Sequence, residues 1–451
     1  MSGLRRGAMG LLALLVAGCS AGAGGATRPT ASSSRPAPSP PPVVTPSAVP
    51  SAVPSPKNTR AASGDPAAAL AGMSVEDKVG QLFIPVVYGS RAGASSQENR
   101  ARFGVDTPAE VVRKYHPGGI ILFPWAGNIS SAKQVAALTT GLREASSTTP
   151  LLIGVDQENG RVARLGSLVT RLPGAGAIGA TGDTRNARDA ARVTGEELRA
   201  LGISLDFAPV ADVNVNPHNP VIGPRAYGAD PAKVSAMVGA AVDGFHAAGI
   251  ASVAKHFPGH GDTSVDSHTG LPVIRHTMER WKRLDAPPFR AAIEHGVDAI
   301  MTAHVVMPEL DPSGDPATLS HRIVTGLLRG ELGFDGVITT DALDMAGVRK
   351  KYGDAEVAVR AILAGVDVLL MPPDLDKAYG AVLKAVKSGR ITERRLDESV
   401  TRILRLKDKR GVFEPVRTDP GSLKSAEHLK VAERVAAGGQ ARAQSLEPRP
   451  M

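Results

Sequence analysis

The sequence predicts an α/β chain with a single catalytic domain, a (β/α)8 barrel of the TIM type, behind a disordered N-terminal tether. Three observations predict it. Eight short apolar runs rich in β-forming residues recur between residues 82 and 372, each followed by a connector of helix length. No glycine-rich dinucleotide fingerprint follows any of them, which weighs against an open doubly wound sheet with similar strands. Five of the eight runs end in ionisable side chains: Asp156, Asp212, the pair Lys255 and His256, His304 and Asp341. Catalytic groups of a barrel gather at the C-terminal ends of its strands, and a random scatter would not put them there.

In chain order, the opening "MSGLRRGAMGLLALLVAGCS" has a positive start at Arg5 and Arg6 and an apolar run over residues 8–17. That run is far short of the ~20 residues a helix needs to cross a bilayer, so it reads as an export signal. Small residues before a cysteine in "VAGC" resemble the lipobox of bacterial lipoproteins, with Cys19 as the lipidated residue; a plain signal peptide is the alternative. Residues 1–19 are therefore read as a lipoprotein signal, and the protein as anchored through lipid to the extracytoplasmic face of a cell membrane. Cys19 is the sole cysteine among 451 residues, which excludes a disulfide, a thiol nucleophile and a thiolate metal site in the mature fold. An exported fold without disulfides must rest on a large core. Residues 20–65, with text such as "SSSRPAPSPPPVVTPSAVPSAVPSP", cannot bury enough apolar surface to fold, and their proline density favours an extended tether. The net charge of +8 suits an anionic cell wall, while aromatic residues make up only 4% and no nucleic-acid motif is present, so no nucleic-acid partner is expected.

Folding is expected to begin near Pro66. In "MSVEDKVGQLF", Ser74 and Asp77 have the spacing of a capping box at a helix start. The strand runs are residues 82–88, 118–124, 151–157, 205–213, 251–257, 299–306, 336–343 and 366–372, with helix candidates at 185–201, 230–248, 322–331 and 354–365. The barrel occupies 66–410. Residues 411–451 form a short tail, in which "HLKVAERVAAGG" is expected to pack as one helix and the last dozen residues to be disordered.

The densest chemistry is "KHFPGHGDTSVDSHTGLP", residues 255–272, a loop after the fifth run. Asp266 and His268 are one residue apart, which lets a carboxylate accept from one imidazole nitrogen while the other faces a substrate; this makes a general acid/base. Asp341 is a carboxylate on a different strand end, behind the small Thr339 and Thr340. A nucleophilic carboxylate with a separate proton donor is the equipment of retaining glycoside hydrolysis, with His268 in place of the usual second carboxyl. Asp156, Arg164, Arg225, Lys255 and His256 would bond sugar hydroxyls. Other readings stand beside this one. His256, His260 and His268 could be metal ligands, although Pro258 and Gly259 break the helix on which such spacing is useful, so no metal is expected. Lys255 could merely pair with a neighbouring aspartate, and His304 could be a satisfied core histidine. Asp344 and Asp374 read as helix-cap or solvent residues. Spacing alone gives a carboxylate-and-histidine hydrolase.

Seven blocks in order resemble the β-N-acetylglucosaminidases of glycoside hydrolase family 3: "SVEDKVGQLF", "GGIILF", "GVDQENGRVARL", "DFAPVADVNVNPHNPVIGPRAYG", "KHFPGHGDTSVDSHTGLP", "PFRAAIEHGVDAIMTAHV" and "GVITTDALDM". The resemblance covers roughly residues 66 to 410. It implies a barrel with its sugar site at the strand C-termini, a nucleophile at Asp341, and an acid/base at His268 oriented by Asp266. It also implies sugar contacts from Asp156, Arg164, Arg225, Lys255 and His256. The implied substrate is a terminal β-linked N-acetylglucosamine, pointing to peptidoglycan fragments and muropeptides in the envelope, with no metal or organic cofactor needed; a monomer is expected. Two positions depart from the family pattern: Asn159, where glycine is frequent, and Ala342, where a second aspartate is common. About forty residues follow Arg410, too few for the second α/β domain some relatives carry. Three rival functions remain at this level. A phosphorylase could use the same site, because a neutral histidine repels phosphate less than a glutamate does. A non-catalytic wall-binding lipoprotein would tolerate loss of Asp341 or His268. A β-glucosidase or β-xylosidase would be expected to carry a different acid/base arrangement.

Overall fold

The computed structural model describes residues 65–445 apart from Thr148, His268, Thr269 and Lys350. The expected signal, Cys19 and the tether lie outside the described residues. The first helix, Pro66–Ala71, has proline at its start and the Asp65 side chain accepting from Ala67 N–H. The next, Val75–Gln81, opens on the Ser74/Asp77 capping box that the sequence spacing predicts.

Ten strands follow: β1 Phe83–Ile84, β2 Gly119–Ile121, β3 Leu152–Val155, β4 Gln157–Asn159, β5 Val162–Ala163, β6 Leu205–Asp206, β7 Ala251–Phe257, β8 Ala299–Thr302, β9 Val337–Thr340 and β10 Leu369–Leu370. Each of the eight predicted runs contains one parallel strand. Six of these form one sheet in the order β2-β3-β6-β7-β8-β9, and β1 pairs in parallel with β10. Single parallel bridges join Val86 to Ile121 and Thr339 to Val368, linking β1 to β2 and β9 to β10. The parallel sheet is curled as a half-barrel of an α/β domain. Its strands are buried throughout, as parallel strands covered on both faces must be. This is why they read as continuous apolar runs rather than alternating ones. The core also takes Phe207, Phe257, Phe289 and Trp281, all essentially inaccessible.

The four helix candidates appear as Thr184–Ala200, Pro231–Ala247, Arg322–Glu331 and Asp354–Ala364, the third being π-type. In the first, Ala187, Ala190, Ala191, Val193 and Leu198 are buried, giving it one apolar stripe. The predicted tail helix is present as Ala426–Ser445. It reaches further than expected, into the stretch read as disordered. Val435 docks among Leu172, Ile178, Ala190 and Met237, and Arg434 bonds Asn186 and pairs with Asp189. Among the described residues, no helix is long and apolar enough to cross a membrane.

β4 and β5 form an antiparallel hairpin directly after β3. Its turn contains Asn159 and Gly160, both with positive φ, 68° and 60°. Asparagine is the non-glycine residue best suited to that backbone region, so Asn159 fills a glycine-type position. On β7, the pairing with β8 shifts register between Lys255 and Phe257. Such a bulge re-aims side chains at a strand end, here Lys255 and His256.

Candidate active site

A cavity of about 430 Å³ opens at the C-terminal ends of the curled strands, lined by Asp156, Glu158, Arg164, Arg225, Lys255, His256 and Asp341, among others. Six of the residues predicted from sequence therefore share one space. Asp266 belongs to the loop that reaches this space, one residue before Ser267, which lines the cavity. His268 lies outside the described residues.

Asp341 follows β9. Its N–H donates to the Thr302 carbonyl at 3.0 Å, fixing it to the end of β8, and its Oδ1 accepts from Ala342 N–H at 2.7 Å. Burial alone pushes this carboxyl up. His256 and His304, the Ala342 N–H and Lys255 outweigh burial and hold it below the usual carboxylate range. The group is thus an ionised carboxylate facing the cavity. Ala342 serves through its backbone: its carbonyl lies 3.0 Å from His304 Nε2, while Nδ1 of that histidine lies 2.8 Å from Thr318 Oγ1. His304 is accordingly a satisfied, buried histidine behind the site, the plainer of its two readings.

Lys255 is the hub of a buried ion cluster. Its Nζ lies 3.0 Å from Asp156 Oδ1 and 2.7 Å from Glu158 Oε1. Arg225 grips the same Glu158 with two parallel bonds of 2.8 and 2.7 Å. Burial would raise the Glu158 carboxyl, but Lys255 and Arg225 bring it down to about 2. Burial likewise disfavours the Lys255 ammonium, and Asp156 and Glu158 reverse that and raise it. Lys255 therefore pairs with more than one carboxylate.

His256 is oriented from behind. Its Nδ1 lies 2.7 Å from Asp212 Oδ2, and Asp212 Oδ1 accepts from the N–H of His260 at 2.7 Å. Burial raises the Asp212 carboxyl, yet His256 and these bonds leave it lowered overall. A carboxylate at Nδ1 turns Nε2 away from it, and Nε2 stands 3.5 Å from Arg225 Nη2 at the cavity wall. His260 is driven down to about 4, chiefly by burial, so it is neutral at pH 7. It tethers the loop instead: Nε2 is 3.1 Å from Ser267 Oγ and Nδ1 is 3.2 Å from Thr263 Oγ1. Asn216 and Asn219 bond the loop carbonyls of Thr263 and His260 at 2.8 and 2.9 Å.

Arg164 lies on the far side of the β4–β5 hairpin, its Nε 3.8 Å from Asp156 Oδ2 and its guanidinium 5.2 Å from the Phe123 ring centre. That buried Nε has no hydrogen-bond partner among the described residues. Asp374 caps the helix Leu375–Lys387 through Lys377 N–H, as expected. Asp344 is exposed, in keeping with the solvent reading, and lines the cavity. Among the described residues, no group of three or more His, Cys, Asp or Glu side chains could hold a metal ion.

Glu158 and the orienting role of Asp212 were not legible as site features from spacing. The signal for Glu158 was present: Asp156 and Glu158 are two apart in extended chain, so both point to one side.

A profile described as the glycosyl hydrolase family 3 N terminal domain matches residues 74–406. The β-hexosaminidase A of Pseudoalteromonas piscicida is 40% identical over 330 residues, covering 67% of this chain and 55% of that protein. This chain thus spans just over half of that relative's length. A β-hexosaminidase of Pseudomonas aeruginosa is 38% identical over 329 residues, covering 72% of this chain and 93% of the relative. A solved structure of a glycoside hydrolase family 3 β-N-acetylglucosaminidase from Paenibacillus sp. strain FPU-7 superposes with a TM-score of 0.75 at 44% identity, covering 82% of this chain and 69% of that one.

Proposed function

The chain belongs to glycosyl hydrolase family 3, and from that premise we propose that it is a retaining exo-β-N-acetylglucosaminidase. In this reading the eight parallel strands close into a complete (β/α)8 barrel, with the two single bridges as its seams. The observation that carries the proposal is that the Asp341 carboxylate lines the same cavity as the charged cluster of Lys255, Glu158, Arg225 and Asp156.

Asp341 attacks the anomeric carbon as the glycosidic bond breaks, and His268, oriented by Asp266, gives its proton to the departing oxygen. A covalent glycosyl-enzyme results. His268 then takes a proton from water, whose oxygen displaces Asp341 and releases the sugar with its original configuration. Asp156, Arg164, Arg225, Lys255 and His256 hold the hydroxyls of the bound sugar. Their fixed charges and dipoles lie in place before the reaction and need little reorganisation. The substrate is a terminal β-linked N-acetylglucosamine, drawn from peptidoglycan fragments. The enzyme works as a monomer at the extracytoplasmic membrane face, held there by lipid on Cys19 and the tether of residues 20–65.

Release of chromophore from an aryl β-N-acetylglucosaminide, with and without phosphate, tests this. Wild type is expected to turn over in phosphate-free buffer and to yield free sugar, while Asp341→Asn loses at least about a thousandfold in kcat. Turnover that depends on phosphate and yields sugar 1-phosphate would make the protein a phosphorylase. Undiminished activity in Asp341→Asn would remove the assigned nucleophile.

A further inference from the structure

Of the two tryptophans, Trp281 is fully buried and donates from Nε1 to the Pro258 carbonyl at 2.9 Å. Trp125 is the opposite case: it is 58% exposed, yet it lines the same cavity as Asp341. It is not a loose surface residue. Its ring stacks on Phe123 with centres 4.9 Å apart and planes 26° from parallel, and Tyr88 leans against it at 6.0 Å. Phe123 in turn carries the Arg164 guanidinium.

The turn beneath is equally fixed. Pro124–Ala126 form a single 3-10 turn closed by Gly127 at φ 74°. Asn128 accepts from Phe123 N–H at 3.1 Å and donates to the Val87 and Gly89 carbonyls at 2.9 and 3.1 Å. The indole is thus a held platform with one face against Phe123 and more than half its surface accessible.

The cavity therefore has two kinds of wall. Around Asp341 it is charged and suited to hydroxyls. At the rim it offers a large, rigid apolar ring. Pyranose rings match such a pair, because their C–H faces are apolar and pack on aromatic faces while their hydroxyls seek polar partners. A sugar seated over Asp341 sends its leaving group outward, toward the rim. We propose that Trp125 is the platform of a leaving-group subsite that takes the C–H face of a second pyranose ring. The preferred substrates are then oligosaccharides of at least two sugars rather than glycosides of small alcohols. This rests on the activity proposed above.

The test compares the purified full-length protein with Trp125→Ala and Trp125→Phe on N,N′-diacetylchitobiose and on methyl β-N-acetylglucosaminide. The ratio of kcat/KM for the disaccharide to that for the methyl glycoside is expected to fall about tenfold in Trp125→Ala, through KM, and to recover largely in Trp125→Phe. An unchanged ratio overturns the subsite. If wild type cleaves neither substrate, the proposed activity has failed, and binding then decides the subsite separately. Titration calorimetry should show the disaccharide binding more tightly than N-acetylglucosamine to wild type, and Trp125→Ala should erase the difference. No such advantage in wild type, or its survival in the variant, overturns the subsite.

Discussion

At the scale of single residues, charge is balanced in pairs that cannot be broken cheaply. Glu158, with a side chain 4% exposed, neutralises both Lys255 and Arg225. Glu158→Gln leaves Arg225 without its carboxylate and Lys255 with Asp156 alone, and removing one partner of a buried pair costs about 3–5 kcal/mol. Urea unfolding should register a loss of that order, and a loss below about 1 kcal/mol would contradict the pairing. Asp206, on β6, is a different case. Its Oδ1 accepts from Gln157 N–H at 2.9 Å, and its Oδ2 has no partner among the described residues. Burial, helped by Asp156 and Glu158 against the Gln157 bond and Lys255, pushes its carboxyl up to about 8. A folded value above the unfolded 3.8 means that the folded state holds the proton more tightly. The stability it contributes is complete below about pH 4 and is lost as pH rises through about 8. Relative to Asp206→Asn, wild type should therefore lose stability between pH 4 and 8 in urea midpoints. Parallel profiles would show that Asp206 is ionised in the fold. Asp156, Lys255, His256 and Asp341 are legible because strand ends concentrate ionisable groups, whereas Arg164 and Arg225 lie outside the eight predicted runs, after β5 and in the 3-10 turn Gly223–Arg225. Glu158 was less visible, because a glutamate beside an Asn-Gly turn also reads as ordinary surface.

At the scale of elements, the loop after β7 brings His260 and Ser267 to the cavity wall. It is fastened at its start by Asp212, in its middle by His260, and along its flank by Asn216 and Asn219. Gly261 lies so close to the neighbouring segment that a Cβ there would sit 1.8 Å from the Val213 carbonyl oxygen. Gly261→Ala must shift the loop that carries Asp266 and Ser267. Misplacement by ~1 Å can cost about a hundredfold in rate, so kcat should fall at least tenfold while far-UV circular dichroism is retained. Wild-type kcat in that variant would show that the loop's position is immaterial. The eight strands and four of the helices are legible, since buried parallel strands read as continuous apolar runs and one-sided helices show a helical period. The β4–β5 hairpin was not read, although Asn159-Gly160 is a strong hairpin signal; its strands are too short and polar to display alternation. The strands are shorter than the predicted runs, because the segments after them stay apolar where they line the core, as at Phe207, Val210 and Val213 after β6.

At the scale of the molecule, a curled parallel sheet gathers side chains from β3, β7 and β9 into one cavity although they stand far apart in the chain. No local spacing reveals that Arg225 and Lys255 share Glu158, because the contact exists only after β3 and β7 are placed around β6. Sequence could nominate the members of the site, whereas the ion cluster and the aromatic rim depend on tertiary placement. The central claim remains chemical: Asp341 becomes bonded to the sugar. The most direct measurement is intact-protein mass spectrometry after reaction with a 5-fluoro-N-acetylglucosaminyl fluoride, followed by peptide mapping. A gain of one fluorosugar, located on Asp341 and absent in Asp341→Asn, is the predicted result. A label on another residue, or steady turnover with no covalent species at any time of quenching, would contradict it.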